Sequence, residues 1–328
     1  MTWLRAFGRF FEQKIGLHRL GILLSLLIIA IAAVVLYRKL HNVNVGKVLT
    51  AMATVEYRDV AISALFVAAG YFTLTFYDLF ALRTIGRKDV PYRIAALAGF
   101  TSYSIGHNVG ASVFTGGAVR YRIYSAWGLD AIEVAKICFI AGLTFWLGNI
   151  TVLGFGFAYH PQAASHIDQL PLWVNRLLGI AALTVLAGYV AWVWQTPRII
   201  GRQNWQVQLP NGPSTLLQIF IGIVDLTCCA AAMYVLVPNE PHMQFIDIAV
   251  IFITATLLGF ASHSPGGLGV FDAAMLIALW EYDAEELLAG LLIFRLLYYL
   301  VPFMLALAVL GTREFKLHFF ERRNVSDR

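Results

Sequence analysis

The sequence predicts an all-α polytopic membrane protein: about six full transmembrane helices plus two broken or re-entrant helical hairpins, arranged as an inverted repeat. Three observations predict it. Of 328 residues, 59% are hydrophobic and 13% charged, against about 25% charged in soluble domains. Apolar runs of about 20 residues, the length a helix needs to cross a bilayer, recur along the chain. Finally, one phrase is written twice. Gly99-Phe100-Thr101-Ser102-Tyr103-Ser104-Ile105-Gly106 returns 160 residues later as Gly259-Phe260-Ala261-Ser262-His263-Ser264-Pro265-Gly266. Each copy interrupts an apolar stretch and runs into a glycine cluster, Gly116-Gly117 or Gly266-Gly267-Leu268-Gly269. Glycine and serine breaking hydrophobic segments at matching places in two halves mark discontinuous helices around a transport site.

Six runs have the length and composition of full spans: Leu20–Tyr37, Val60–Leu82, Ile132–Ala158, Leu172–Trp194, Thr215–Val237 and Leu287–Leu310. The first is too long for a secretory signal and no small-residue cleavage site clearly follows it. Two further runs, Ile94–Val119 and Phe245–Trp280, carry the repeated phrases near their middles. The three cysteines, Cys138, Cys228 and Cys229, lie in apolar runs and read as small buried hydrophobes.

Basic residues set the expected sidedness, since loops rich in Lys and Arg stay in the cytoplasm. Arg5, Arg9, Lys14 and Arg19 precede the first span. Arg83, Arg87, Lys88 and Arg93 follow the second. Arg198 and Arg202 precede Thr215, and Arg313, Lys316, Arg322, Arg323 and Arg328 mark the tail. By contrast, Tyr159–Leu170, Pro238–Met243 and Glu281–Glu286 hold no Lys or Arg and are expected outside. One loop dissents: Arg38, Lys39, Lys47 and Arg58 fall where parity predicts the outer side.

With that parity the first broken run enters and leaves on the cytoplasmic side, as two half-helices. The second enters and leaves on the outer side; its length also admits two short spans. The expected organisation is a cytoplasmic segment 1–19, a membrane domain 20–312 with inverted repeats at about 60–158 and 215–310, and a cytoplasmic tail 313–328. Both termini are then cytoplasmic.

The candidate site follows from polar groups placed in apolar surroundings. Gly116 and Gly117, read as opening a helix, would present free N–H groups to an anion. Arg120 and Arg122 would add forked donors suited to phosphate, although both also suit plain interfacial anchors. Asp225 lies mid-span, where a carboxylate must be paired, protonated or facing a cavity, and Arg295 is its candidate partner. The two are expected either to form a structural ion pair or to serve substrate or proton coupling along a midplane route. Asp78 is expected in an interfacial pair with Arg83. Asp272, in the first turn after Pro265-Gly266-Gly267-Leu268-Gly269, is expected to serve the helix dipole. Asn108 beside His107, with Ser102, Ser104, Ser262, His263 and Ser264, brings polar atoms to the breaks, where freed backbone needs partners. No metal-ligand spacing, nucleotide loop or nucleophile motif is present, so neither cofactor nor metal is expected.

Tyr77-Asp78-Leu79, Gly116-Gly117 with Arg120-Tyr121-Arg122, Pro265-Gly266-Gly267-Leu268-Gly269-Val270, and Tyr298-Tyr299 with Pro302 resemble a known family. It is the lysylphosphatidylglycerol synthase transmembrane-region family, the flippase-type membrane half of bacterial multiple peptide resistance factors. The resemblance covers about residues 20–312. It implies a lipid-handling protein of the bacterial inner membrane and adds Tyr298 and Tyr299 to the substrate-binding candidates. In two-part members a soluble aminoacyl-transferase domain follows the membrane half. Here the sequence ends soon after the last span, so that domain and its reaction are not expected.

The function expected is a flippase or transporter, not an enzyme, for an anionic or modified phospholipid or a polyprenyl-phosphate lipid. The alternatives are a non-catalytic membrane partner of a separately encoded lipid synthase and a membrane enzyme that modifies headgroups. The expected partners are membrane lipids, with a second copy of the chain and a lipid synthase as further candidates; nucleic acid is not expected.

Overall fold

The structure, a computed structural model, describes residues 17–41, 43–110, 112–196, 198–202 and 205–326. The cluster Arg5, Arg9 and Lys14 and the terminal Arg328 lie outside the described residues. Five helices are long and apolar enough to cross a membrane: Tyr57–Thr84 (α3), Ala131–Tyr159 (α6), Leu172–Val193 (α8), Gly212–Tyr234 (α9) and the rod Ala284–Arg313. Leu17–Leu40 (α1) bends 86° into the short helix Val45–Thr54 (α2), and the pair counts as a sixth span, by length and composition, if taken together. The protein is therefore an all-α, multi-pass membrane protein. The rod is built from Ala284–Arg295 (α12), a π turn at Leu296–Leu300 and Val301–Ser326 (α13), which continues through most of the expected tail.

Both interrupted runs are hairpins. The first is Tyr92–Val109 (α4) and Ser112–Tyr124 (α5), packed side by side. The second is Phe245–Ala261 (α10), a 3-10 turn at Pro265–Gly267, and Val270–Ala278 (α11). Nine residues of α-helix rise only about 13 Å, far short of the ~30 Å hydrocarbon core, so α11 does not cross. The second run is a hairpin of two limbs, not two short spans.

The loops sort onto two faces, as their charges suggest. On one, Val90, Leu129 and Val207 are buried in a cluster with Leu82, against which Ile200 and Leu310 pack. Arg87 ties this face together by donating to Glu133 at 3.0 Å, to Asp89 at 3.1 Å and to the Trp127 carbonyl at 2.7 Å. The Arg87 guanidinium holds the Asp89 carboxyl below the usual carboxylate range. The loop holding Arg198 and Arg202 forms an antiparallel hairpin on this face, Ile199–Arg202 (β1) with Trp205–Gln208 (β2). On the opposite face, Tyr159–Leu170 is largely helical, Pro161–Asp168 (α7), where the sequence suggested a plain loop. There His166 bonds the Ala278 carbonyl at 3.2 Å, and His160 lies 3.6 Å from Asp247.

The dissenting basic loop has a structural reason. Asn44 caps α2 by accepting from the Gly46 N–H at 2.8 Å, and α2 packs on α12 at the face of the acidic loops. One of its cations sits among its own acids: Arg58 pairs with Asp59 at 3.2 Å and Glu56 at 3.6 Å.

The central spans α3 and α9 run antiparallel, since Ser63 bonds Ala232 while Tyr77 bonds Asp225. That is the opposite orientation expected of paired spans in an inverted repeat. Helices α6 and α9 cross at Gly148 and Gly222, where a Cβ on either glycine would lie 2.8 Å from the other's backbone. Such close approach lets dispersion and backbone contact hold helices that gain no hydrophobic drive in lipid. Gly222→Val is expected to force this crossing apart at a cost of about 1–3 kcal/mol. A thermal-unfolding midpoint in detergent that matches the unmodified protein would contradict this reading of the crossing.

Candidate functional site

The two hairpins meet tip to tip. At the first break, Gly110 has φ of 83°, a conformation costly for other residues, and a Cβ there would lie 3.4 Å from Cα of Pro265. At the second, Gly266 has φ of 59° and lies close to the His107 carbonyl and the Tyr299 ring. Serine and asparagine satisfy the freed backbone. Asn108 donates to the carbonyls of Ser104 at 2.8 Å and Tyr299 at 3.0 Å. The Ser262 hydroxyl donates to the Gly259 carbonyl and shares a 2.8 Å bond with Ser264, while Ser25 of α1 donates to the Ser262 carbonyl. His263 takes a positive φ of 56° and is exposed. Ser102 and Ser104 are buried on the inner side of α4, where no hydrogen bond to the Ser102 hydroxyl is found among the described residues.

The π turn faces this junction from the rod. Pro302 has no N–H, so the Tyr298 carbonyl lacks the donor that an α-helix would give it four residues later. The Tyr71 hydroxyl supplies one from α3 at 3.0 Å. The widened turn, a common feature of functional sites, directs both Tyr298 and Tyr299 inward. Tyr298 stacks on Phe294, with ring centroids 5.2 Å apart, and Tyr299 lies beneath the Arg295 guanidinium at 5.5 Å.

Two ion pairs anchor the hairpins, and neither is the pair expected from sequence. Arg295 bonds Asp272, not Asp225: Nε donates to Oδ1 at 2.8 Å and Nη2 to Oδ2 at 2.7 Å. It also reaches the Gly266 carbonyl at 3.1 Å, which uses three of its five N–H donors. Asp272 does serve the start of α11, accepting from the Gly269 N–H at 3.0 Å, and it is also this arginine's counter-ion. Asp78 pairs with Arg120, not with Arg83. Arg120 Nη2 donates to Oδ1 at 2.7 Å and Nε reaches both oxygens, while the Tyr124 hydroxyl donates to Oδ2 at 2.8 Å. The sequence separation misled here: Asp78 is near the end of its span, but α5 folds back over it. Arg83 instead donates to the carbonyls of Arg87 and Val90.

The expected phosphate site at Gly116, Gly117, Arg120 and Arg122 is corrected accordingly. Helix α5 begins at Ser112, so Gly116 and Gly117 lie inside it and their N–H groups are committed to helix hydrogen bonds. Gly116 instead permits close packing, since a Cβ would sit 3.2 Å from the Ser102 carbonyl. Arg120 is 5% exposed and bonded to Asp78 through Nε and Nη2, whereas Arg122 is exposed at the basic face.

Asp225 is buried without a cation. Its carboxylate accepts from the Tyr77 hydroxyl at 3.0 Å and has Cys229 Sγ at 3.9 Å, and it forms no ion pair among the described residues. Cys229, read from sequence as a plain hydrophobe, thus touches both Asp225 and the Tyr298 hydroxyl, the latter at 3.6 Å. Tyr77, Tyr103 and Tyr124 were also missed. Arg120 lies over the Tyr103 ring at 4.8 Å, and Tyr103 meets Tyr77 edge-on. Spacing offered one signal: Arg120 and Tyr124, four apart, share a helix face.

Beside the junction a crevice of about 300 Å³ is lined by Asn108, Gly266, Leu268, Arg295, Leu296 and Tyr299, among others. Leu268 and Leu296 are exposed at its mouth, which therefore opens on the lipid-facing surface. Among the described residues no group of His, Cys, Asp and Glu is arranged to hold a metal ion.

Comparison with known proteins places this architecture. No family model matches the chain. It is 30% identical to the uncharacterized protein slr0712 of Synechocystis over 315 residues, 96% of each chain. The chain belongs to the family of slr0712. It is also 29% identical to the inner membrane protein YbhN of Escherichia coli, over 74% of this chain and 76% of that one. The likeness reaches the phosphatidylglycerol lysyltransferase of Staphylococcus haemolyticus, at 28% identity over 89% of this chain and 33% of the relative. The chain thus spans about a third of that lysyltransferase's length, and the relation agrees with the family resemblance in the sequence motifs.

Removing one partner of a buried ion pair leaves an uncompensated charge, at about 3–5 kcal/mol. Asp78→Leu is expected to abolish accumulation of folded protein. Adding Arg120→Met should restore much of it, because an apolar pair of similar volume removes the stranded charge. Fluorescence-detected size exclusion reads both, and a double variant as poor as the single would argue that the pair does more than hold α5.

Proposed function

We propose that the protein moves an anionic or modified phospholipid, or a polyprenyl-phosphate lipid, between leaflets of the bacterial inner membrane, and that it is a transporter rather than an enzyme. One observation carries the reading: a lipid-facing crevice backed by Arg295, at the meeting point of two hairpins that enter from opposite faces. A guanidinium with donors to spare suits a headgroup phosphate, and a mouth open to lipid leaves the acyl chains in the bilayer. The basic face is read as cytoplasmic by its arginines. Discontinuous helices meeting near the midplane suit alternating access. The name of the Escherichia coli relative supports the inner-membrane location, and that of the staphylococcal relative supports a phospholipid substrate.

In this reading Arg295 takes the headgroup phosphate, Tyr298 and Tyr299 line its path, and Asn108, Ser264 and Gly266 keep the break intact. Arg120 and Asp78 hold the first hairpin in place. Leaflet-to-leaflet movement of labelled phosphatidylglycerol in proteoliposomes tests the proposal. Arg295→Lys keeps a cation against Asp272 but loses the fork, and is expected to slow movement by about tenfold or more while the chain still purifies as a folded, monodisperse species. If the purified, folded chain moved none of several anionic lipids, the reading would give way to a non-catalytic membrane partner of a separately encoded lipid synthase.

A further inference from the structure

A second lipid-facing hollow lies away from the hairpins, along α8. It is a groove of about 740 Å³ running from Leu183 to Arg198. Its floor is apolar and firm: Leu186 and Ile219 belong to a buried cluster with Leu147, and Leu183 packs against it. Its mouth is at the basic face and has a different character, with Trp192, Trp194, Gln195, Thr196 and Arg198 gathered there. Trp194 is pinned, since it fills the space where a Cβ on Gly212 would stand, 2.5 Å away. Arg198 lies over the Trp192 ring at 5.6 Å and donates to the Trp192 carbonyl at 3.2 Å. It forms no ion pair among the described residues, and no acidic residue lines the groove.

Dimensions and charge identify an occupant. From Leu183 to Trp194 the helix rises about 16 Å, which is close to half of the ~30 Å hydrocarbon thickness. The groove therefore matches one acyl chain of one leaflet. Tryptophans at its mouth mark the level of the headgroups, and Arg198, which has no counter-ion among the described residues, sits at that level. We propose that this groove is a binding site for an anionic diacyl phospholipid of the basic-face leaflet, with its phosphate on Arg198 and one acyl chain along α8. The site is separate from the Arg295 crevice and stands whether or not that crevice translocates lipid.

Quenching of tryptophan fluorescence by lipids brominated on the acyl chain tests this in nanodiscs, with brominated phosphatidylglycerol compared against brominated phosphatidylcholine. The signal of the groove is the part of the quenching that Trp192→Phe removes. Phosphatidylglycerol is expected to be favoured about fivefold, the factor that one basic residue gives at an anionic surface. Arg198→Gln should bring the ratio close to one. Ala187→Trp, which fills the groove, should lower by one the number of phosphatidylglycerol molecules retained in native mass spectrometry, while the unfolding midpoint and any lipid held at the separate Arg295 crevice are unchanged. Equal quenching by both lipids in the unmodified protein would overturn the anionic site. So would retention unaffected by Ala187→Trp, or a cysteine crosslink at Ala187 showing a second copy of the chain seated there.

Discussion

A helix that stops inside hydrocarbon leaves N–H and carbonyl groups with no water to take them, and each unsatisfied group costs several kcal/mol. This chain stops two helices there, and the rest of its architecture follows from how they are completed. The breaks are placed against each other, so that Gly110 packs on Pro265 and Gly266 on His107. Asn108 then bridges its own helix and the rod through the Ser104 and Tyr299 carbonyls. The rod is itself widened at this level, and the carbonyl that Pro302 leaves without a donor is met by Tyr71 of α3. Three discontinuities thus share one set of partners. Irregular backbone at membrane depth is tolerable only where protein or a cavity surrounds it, and here both do.

Charge in the bilayer obeys the same economy. Two arginines and two aspartates are paired with close, forked geometry, one pair to each hairpin. The pairs differ in access: Asp78 and Arg120 have side chains 0% and 6% exposed, Asp272 and Arg295 17% and 13%. A pair sealed on all sides is hard to exchange for another partner, because separation strands both charges. A pair beside an opening can trade part of its bonding for an incoming phosphate. On the proposed reading that difference divides the work, with Arg120 as clamp and Arg295 as receiver.

Much of the fold was legible because its signals are periodic or additive. Span lengths, the twice-written phrase and the distribution of arginines over loops led to the five or six crossings, the first hairpin and the two faces, and left the second run open between a hairpin and two short spans. Side-chain pairings were less legible, since they depend on which helix face points where. Asp225 and Arg295 are both mid-membrane acids and bases, so depth alone suggested a pair, yet Asp272 sits on the hairpin limb that packs against Arg295. Asp78 looked interfacial because it lies near the end of its span; it is buried because α5 returns over it, a tertiary fact invisible in one span. Gly116-Gly117 was read as a helix start because glycine pairs often break helices, but the break falls earlier, at Gly110. The amphipathic helix α2 hid inside an apparent charge violation.

Asp225 remains the sharpest asymmetry in this scheme. It occupies the centre of α9, has hydroxyl and thiol neighbours, and among the described residues lacks the cation that Asp78 and Asp272 possess. Carboxylates in such places are costly enough that they mark pathways more often than scaffolds. Its contacts run through Cys229 to the Tyr298 hydroxyl, one residue from the ring that lies under Arg295. A rearrangement of the π turn would therefore move the ceiling of the Arg295 crevice and the surroundings of Asp225 together. On the proposed reading, the π turn, less regular than the helices on either side of it, is the element that would link headgroup occupancy to the buried acid.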